Sequence, residues 1–331
     1  TQGYSSAASD VYKRQDLHQP SQRKPEAAYH TVEYTGGTQR MTFDFETIID
    51  RRGKDAVAVD APAVQMSGGF FPETKVQEEF SIIPMWVADM NFQTAPAVAQ
   101  AIRSRADHHL YGYFLPPSQY FQSIINWQKE RNGVTDLKPE HIGYENGVLG
   151  GVVSALRILC SNGDPVLVQT PTYVGFTHSL EDNGWKSVLN PLKRDAEGVW
   201  RMDYEDMERK IIENHVHAAI FCSPHNPSGR VWQAWEIEKA MEIFARHDVY
   251  VIADEIWSDL TLPGYHHIPT QSVSEDARNR TIALYSPSKA FNLAGLVGSY
   301  HIVYNAYLRD RIRREATMTH YNHMNVLSMH A

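Results

Sequence analysis

The sequence predicts an α/β protein, a three-layer α/β/α sandwich built on a mainly parallel β-sheet. Two observations lead to this fold class. Short apolar runs without polar alternation, which are typical of strands buried on both faces, recur along the 331 residues. Segments of ten or more residues with helical spacing separate these runs, and that length suits the crossover between two parallel strands. We find no internal repeat or low-complexity stretch within this alternation.

The helices of the first half carry recognisable start signals. In "TAPAVAQAIRSRADHH", we expect Thr94 to be the N-cap, with Pro96 in the first turn. The segment "PSQYFQSIINWQKERNG" is predicted as a second helix that stops at its glycine. The glycine-rich turn "ENGVLGG" leads into the helix "GVVSALRIL", so Gly150, Gly151 and Val152 are expected to begin that helix.

The second half alternates strands and helices. The strand "PVLVQT" precedes the predicted helix "PTYVGFTHSLEDNG", and Asp203 is expected to cap the helix "YEDMERKIIENH". The strand "HAAIFC", the amphipathic helix "AWEIEKAMEIFARHD" and the strand "VYVIAD" follow. Ligands of such sheets gather at the carboxyl ends of the strands. We therefore expect the loops "SPHNPSG", "DEIW" and "SPSK" to face one crevice.

The N-terminal region differs from the rest. Residues 1–40 are polar and lack periodicity, which predicts a tail that is disordered or foreign to the domain. Met41 resembles a natural start, and residues 41–90 are predicted to form an arm that leads to the first ordered elements.

Composition excludes several classes of partner. A formal net charge of -8 and a pI near 6.0 argue against nucleic acid and anionic membranes, and no apolar run reaches the roughly 20 residues that span a bilayer. Cys160 and Cys222 are predicted to be buried free thiols, which indicates a reducing cytoplasm. No metal site is predicted, because His266 and His267 lack the usual ligand spacing and are interpreted as surface loop.

Two opposite charges stand where a core is expected. Asp254 ends one predicted strand, and Lys289 closely follows another. Such a pair forms either a buried ion pair, which is the commoner case, or the two poles of a cofactor site. Asn226 and Tyr173, near other strand ends, add an amide and an aromatic face, and Ser286 and Ser288 add hydroxyl groups beside the lysine. Pyridoxal phosphate requires such a set of groups.

Several motifs carry a resemblance to a known family. In order and spacing, "CSPHNPSGRVW", "ADEIWSDL" and "SPSKAFNLAGL" resemble the fold-type I pyridoxal phosphate enzymes of the class I/II aminotransferase superfamily. The segments "FDFETIIDRRG", "PMWVADMNF" and "YGY" resemble its cystathionine β-lyase branch, the MalY/PatB-type C-S lyases. The resemblance extends from Met41 to the last residue. It implies a large cofactor-binding domain at residues 91–303 and, at 304–331, the beginning of an incomplete, truncated small domain.

The resemblance implies roles for individual residues. Lys289 would bond covalently to the cofactor, and Asp254 would keep the pyridine nitrogen protonated. Asn226 would donate to the phenolic oxygen, and Tyr173 would stack on the ring or simply pack in the core. Trp257 replaces a family tyrosine, and its indole can donate but cannot accept.

The phosphate would have its own set of donors. Backbone N–H groups of Gly150, Gly151 and Val152 would bind it at a helix N-terminus, although a glycine pair can also serve close packing. Ser286 and Ser288 would add hydroxyl donors. Tyr113, otherwise a core residue, resembles a tyrosine that reaches the phosphate from a neighbouring subunit, which implies a homodimer with a shared site.

The activity implied by the resemblance is β-elimination of cystathionine or cysteine S-conjugates, small-molecule amino acids, to pyruvate, ammonia and a thiol. Transamination remains an alternative, because it shares every step through the carbanion. A non-enzymatic pyridoxal phosphate-binding or regulatory protein is a second alternative, because no residue here matches the family arginine that binds the substrate carboxylate.

Overall fold

The computed structural model describes residues 44–60, 85–320 and 324–331. The predicted tail at 1–40 and the proposed start at Met41 lie outside the described residues. The chain divides into two units, Thr1–Thr47 and Ile48–Ala331. In the first unit, the carboxylate of Asp44 accepts hydrogen bonds from the backbone N–H groups of Glu46 and Thr47. The second unit contains the sheet and the candidate site.

Seven strands of the second unit form one sheet, in the order β1-β9-β8-β7-β6-β2-β3. Neighbours from β3 to β8 pair in parallel, whereas β9 is antiparallel to both β8 and β1. The predicted α/β fold with a mainly parallel sheet is therefore confirmed. The described strands are β1 Ile142–Glu145, β2 Pro165–Thr170, β3 Lys186–Pro191, β4 Lys193–Arg194, β5 Trp200–Arg201, β6 Ala218–Cys222, β7 Tyr250–Asp254, β8 Thr281–Tyr285 and β9 Ser299–Ile302.

Helices precede, separate and follow these strands. The described α-helices are α1 Val57–Asp60, α2 Pro96–Ala106, α3 Ser118–Asn132, α4 Gly147–Leu159, α5 Val174–Asp182, α6 Tyr204–Asn214, α7 Ala234–Arg246, α8 Glu275–Arg280, α9 Pro287–Ala290, α10 Ala306–Thr319 and α11 Val326–His330. Asp203 caps α6, as predicted, by accepting from the N–H of Asp206. Thr94 does not cap α2, so that prediction was wrong: extended Ala95 precedes Pro96 directly and is the N-cap.

The sheet is covered on both faces. Side chains that alternate along β2 and β6 enter two different apolar clusters, and alternate residues of a strand point to opposite faces. Val166 and Ile220 join the cluster that contains α4, α5 and α10. Leu167 and Phe221 join the cluster that contains α6 and α7. These two clusters are the inner surfaces of the three-layer sandwich.

Helix α4 begins three residues earlier than the sequence suggested. Gly147, with φ of +77°, turns the chain from β1 into the helix, and Asn146 is the N-cap. A positive φ is costly for residues other than glycine, which explains why the turn lies there. Gly151 is already inside the helix, where it packs against β8. A Cβ atom on it would lie 2.7 Å from Cδ2 of Leu284 and 3.1 Å from Cγ of Glu145.

The two adjacent glycines of α4 should respond differently to alanine. Gly151→Ala forces a methyl group against buried Leu284, and we expect a loss of about 1–3 kcal/mol in the free energy of unfolding. At Gly150, a Cβ atom would meet only Cβ of Asn146, at 3.6 Å. Gly150→Ala should therefore be neutral or stabilising by up to about 1 kcal/mol. Urea unfolding measures both variants, and equal effects would contradict this packing.

Candidate active site

Three neighbouring strands end at the same edge of the sheet. Strands β6, β7 and β8 are parallel, and in their register Cys222 pairs with Asp254, which in turn pairs with Leu284. Backbone hydrogen bonds continue past the strand ends, since the N–H of Ser223 donates to the carbonyl of Asp254. The loops that contain Asn226, Trp257 and Lys289 thus leave from one edge, where ligands of parallel sheets bind.

Asp254 is a buried acid. Its residue surface is 5% exposed, and its Oδ1 accepts the backbone N–H of Ile256 at 3.0 Å. Burial raises the pKa of Asp254 to about 7, the N–H of Ile256 opposes this rise, the charge of Glu255 adds to it, and Lys289 lowers the pKa slightly. The group therefore exchanges a proton near neutral pH.

Lys289 lies in the short helix α9 and is partly buried. Its Nζ donates to the carbonyl of Ala88 at 3.0 Å and lies 5.6 Å from the centroid of the Trp257 ring. Burial lowers the pKa of Lys289, while the charges of Asp89 and Asp254 act to raise it. The net direction favours the neutral amine, which is the nucleophilic form.

Asp254 and Lys289 do not form an ion pair with each other, although each contributes to the pKa of the other. The commoner sequence interpretation, a direct buried ion pair, is therefore not what these two described residues form. The uncompensated burial of Asp254 is costly unless a cationic partner reaches it.

Asn226 and Trp257 line a common cavity of about 450 Å³, and Lys289 is not among its lining residues. The backbone N–H of Asn226 donates to Sγ of Cys222 at 3.4 Å, which links its loop to the end of β6. The other lining residues come from the two loops after β6 and β7: Pro224, His225, Pro227, Gly229, Arg230, Val231, Leu260, Thr261, Leu262 and Tyr265.

Tyr173 stands at the N-cap of α5, with 40% of its surface exposed. Its ring lies over Gly175, where a Cβ atom would be 2.5 Å from Cε1 of Tyr173 and 2.9 Å from Cδ1 of Leu149. The ring is thus close to the first turn of α4, and it also makes an edge contact with Phe176 at 5.6 Å between centroids. Both packing and stacking on a ligand are compatible with this partly exposed ring.

The N-terminal end of α4, where the phosphate was predicted to bind, lies at other residues than predicted. Because the helix begins at Gly147, its first-turn N–H groups belong to Asn146 through Leu149. The expectation that Gly150, Gly151 and Val152 begin the helix was wrong, and Val152 is fully buried in the core. The signal that was overlooked is the pair Asn146-Gly147, an N-cap residue followed by a turn glycine.

The two serines and the tyrosine of the predicted phosphate site differ in their hydrogen bonds and in their exposure. Ser286 donates its hydroxyl proton to the carbonyl of Gly298 and accepts the N–H of Ser288 at 3.1 Å. Ser288 is partly buried beside Lys289. Tyr113 is fully exposed, so its interpretation as a core residue was wrong.

Two further expectations need correction. His267 is not surface loop, because it is 9% exposed and its Nε2 lies 2.8 Å from Oε2 of the buried Glu255. The covering loop folds back over the end of β7, which the sequence spacing did not reveal. Cys222 is buried as predicted, but Cys160 is only partly buried. Among residues 44–60, 85–320 and 324–331, no cluster of potential metal ligands occurs, and no helix is long and apolar enough to cross a membrane.

Sequence reasoning also missed contacts from the arm. Arg51 binds the carboxylate of Asp89, and Ala88 supplies the carbonyl that Lys289 contacts. The motif "PMWVADMNF" marked the branch, but it gave no indication that its backbone reaches the lysine.

Comparison with known proteins identifies the family. Residues 82–325 match the family model for aminotransferase class I and II, and the chain therefore belongs to this family. It is 38% identical over 232 residues to cystathionine beta-lyase PatB of Bacillus subtilis (strain 168), covering 70% of this chain and 58% of PatB. It is 29% identical over 269 residues to protein MalY of Escherichia coli (strain K12), covering 81% of this chain and 65% of MalY. The chain thus spans less than two thirds of these curated relatives.

Solved structures resemble the fold as well. Cystalysin from Treponema denticola, which contains a pyridoxal 5'-phosphate cofactor, gives a TM-score of 0.79 at 30% identity, covering 87% of this chain and 71% of that one. The PLP-bound C-S lyase from Staphylococcus hominis gives a TM-score of 0.76 at 32% identity, covering 87% and 69%. The superfamily and branch expected from the motifs are those of the proteins found.

The buried carboxyl of Asp254 predicts a pH-dependent stability difference. Its pKa in the folded protein, about 7, exceeds the ordinary 3.8, so its stabilising contribution is complete below pH 4 and is lost as pH rises through 7. Cofactor-free Asp254→Asn protein should gain stability relative to the parent between pH 5 and pH 8. The gain should reach about 3 kcal/mol at most, because about two pKa units of the rise lie above pH 5 and each corresponds to about 1.4 kcal/mol.

Urea unfolding at the two pH values measures this difference. Asp276→Asn is the matched control, because Arg280 lowers the pKa of Asp276 and its contribution should not change between pH 5 and pH 8. If the free energy of unfolding of the parent and of Asp254→Asn changed equally with pH, the raised pKa of Asp254 would be contradicted.

Proposed function

We propose that this chain binds pyridoxal phosphate and catalyses the β-elimination of sulfur amino acids, of the cystathionine or cysteine S-conjugate class. One observation carries the proposal. Asp254 ends β7 and Lys289 follows β8, its parallel neighbour, and each charge affects the pKa of the other although the two side chains form no ion pair. The names of the relatives support the same chemistry, because PatB is a cystathionine beta-lyase and the Staphylococcus hominis protein is a C-S lyase.

The residues present fit the cofactor. A buried carboxyl group with a pKa of about 7 needs a cationic partner, and a protonated pyridine nitrogen is one. The amine of Lys289, whose pKa is lowered by burial, suits covalent attachment to an aldehyde. The amide of Asn226 would contact the phenolic oxygen, and Tyr173 would stack on the ring. The N–H groups of the first turn of α4 would bind the phosphate, and Ser288, next to Lys289 in α9, would add a hydroxyl donor.

The side chains divide the chemistry among themselves. Pyridoxal phosphate, when bound, supplies an electron sink for the pair of electrons left on Cα of the substrate. Lys289, as the neutral amine, removes the proton from Cα. Asp254 holds a proton on the pyridine nitrogen, and the low-polarity surroundings of this acid strengthen that interaction. Trp257 covers one side of the amine and limits its contact with water.

The overall reaction balances with one water molecule. The bond between Cβ and sulfur breaks, and sulfur leaves with the electron pair and takes up a proton to become a thiol. Water then replaces the amino group, which gives pyruvate and ammonia. The Cα proton that Lys289 removes is available for return to a leaving group or product, so no external oxidant or reductant is needed.

Transamination is the second candidate, because one similar solved structure is titled a putative aminotransferase, at 31% identity and a TM-score of 0.79. The two activities share removal of the Cα proton and differ in where a proton returns. They are separated by whether a keto-acid acceptor is required. A non-enzymatic binding role would leave the cofactor bound and no sulfur amino acid consumed.

The chain is further proposed to act as a homodimer in the cytoplasm. Residues 110–115, which have no regular secondary structure, expose Leu110 at 70%, Tyr113 at 111% and Leu115 at 87%. Such a contiguous apolar surface is typical of protein interfaces. Tyr113 on this surface would reach the phosphate of the second subunit. The free thiols Cys160 and Cys222 support a reducing compartment. Residues 91–303 would form the cofactor-binding domain, and residues 304–331 would belong to a small domain.

Substitution of Lys289 should abolish both attachment and turnover. We expect the parent to bind pyridoxal phosphate with a pH-sensitive absorbance band and to release thiol and pyruvate without any keto acid. Lys289→Ala should lose the band and lower the rate at least about a hundredfold, the usual minimum for loss of a general base. The control is Lys239→Ala, which removes a lysine of α7 that packs on the ring of Tyr204. A band that persists in Lys289→Ala would refute Lys289 as the site of attachment. Thiol release that depends on a keto-acid acceptor would refute the lyase activity.

The dimer can be tested independently of activity. Sedimentation should give twice the chain mass for the parent, and Leu115→Glu should shift the mass towards the monomer, because a charge would be buried at the contact. Ile212→Glu, on the exposed face of α6 at 55% exposure, is the control and should leave the mass unchanged. A monomeric parent would exclude the shared site.

A further inference from the structure

The arm segment, defined here as residues 85–92, is bound to the loop that carries Lys289. The side-chain amide of Asn292 accepts the N–H of Met90 at 3.1 Å and donates to the carbonyls of Met90 at 3.1 Å and Phe92 at 3.2 Å. The fourth contact is the lysine itself, whose Nζ donates to the carbonyl of Ala88 at 3.0 Å. The position of the amine is therefore coupled to the position of the arm segment.

A single arginine holds the arm segment from the other side. Both terminal nitrogens of Arg51 bind the carboxylate of Asp89, at 3.1 Å and 2.5 Å, and the first also donates to Oδ1 of Asn91 at 2.9 Å. Side chains of Arg51 and Asp89 are 19% and 22% exposed. A two-pronged contact of this kind is stronger and more directional than a single charged contact, and partial burial reduces its screening by salt.

Asp89 follows Ala88, whose carbonyl accepts the hydrogen bond from Lys289, and the charge of Asp89 acts on the pKa of that amine. The charged groups that act on Lys289 are Asp89 from the arm segment and Asp254 from β7, with the Trp257 ring alongside. Both carboxylates raise the pKa of the lysine, against burial, which lowers it. Asp89 has a compensating cation, Arg51, whereas Asp254 has none among the described residues.

We propose that Arg51 and Asp89 are a positioning pair for Lys289. Their ion pair fixes the arm segment against the lysine loop, and Arg51 neutralises the carboxylate of Asp89. The inference builds on the proposed function, in which Lys289 must act as a neutral amine. Neither residue needs to touch the substrate. Loss of either partner leaves the charge of the other uncompensated, and the two losses have opposite signs.

That opposition distinguishes the proposal from a purely structural role. Arg51→Gln leaves Asp89 anionic, which favours the protonated lysine. Asp89→Asn leaves Arg51 cationic, which disfavours it. The double variant removes both charges, and Arg51→Lys retains the positive charge. A structural clamp alone would give the same loosening whichever partner is removed.

The experiment measures the protonation of Lys289 directly. The full chain is treated with an amine-reactive reagent over a range of pH, and the labelling of Lys289 is followed by peptide mass spectrometry. At a fixed pH below the midpoint, we expect labelling to be about threefold slower in Arg51→Gln and about threefold faster in Asp89→Asn, which corresponds to shifts of about half a pH unit. The double variant and Arg51→Lys should match the parent within about a factor of two.

A second measurement uses the cofactor-bound protein, in which the pH midpoint of the cofactor absorbance should rise in Arg51→Gln and fall in Asp89→Asn. Arg157→Gln removes an ion pair with Glu315 and is the control, with no shift expected. If Arg51→Gln does not fold, the lower pH midpoint expected for Asp89→Asn and the unchanged midpoint expected for Arg51→Lys still test the pair. Shifts in the same direction, or none, would overturn the positioning role. Opposite labelling shifts in a chain that binds no cofactor would overturn the proposed function and leave the pair intact.

Discussion

The burial of one carboxyl group at the end of β7 is the constraint on which the site depends. Asp254 is held by strand pairing on both sides, and its Oδ1 already accepts a backbone N–H. Water cannot solvate its charge there, so the charged form needs a cationic partner. No basic side chain among the described residues pairs with it. The charged form of this acid therefore suits a cationic ligand, as the proposed function requires, and Lys289 follows the adjacent strand β8.

The sheet could be predicted because its signal is local. Strands such as "AAIFC" and "YVIAD" are continuously apolar, and the helices between them are long enough for parallel crossovers. Asp254, Lys289 and Asn226 were proposed as site residues from motifs that lie next to those strands, and the structure places all three at or after the ends of neighbouring parallel strands. Asp203 was recognised as a cap because its hydrogen bond reaches only three residues along the chain.

What could not be predicted depends on distant contacts or on backbone angles. Lys289 contacts Ala88 across 201 residues, and Arg51 contacts Asp89 across 38, separations at which a single sequence contains no pairing signal. The start of α4 depended on the positive φ of Gly147, which competes with two other glycines in the same turn. His267 was assigned to the surface because its partner, Glu255, is reached only when the intervening loop folds back.

The indole of Trp257 has an optical consequence. It lies 5.6 Å from the amine of Lys289 and is one of 7 tryptophans in the chain. Energy transfer from an excited indole to a chromophore weakens steeply with distance, so a coloured molecule attached to this lysine would quench Trp257 far more strongly than remote tryptophans. The fluorescence of Trp257 would then report the fraction of chains that carry such a molecule on Lys289.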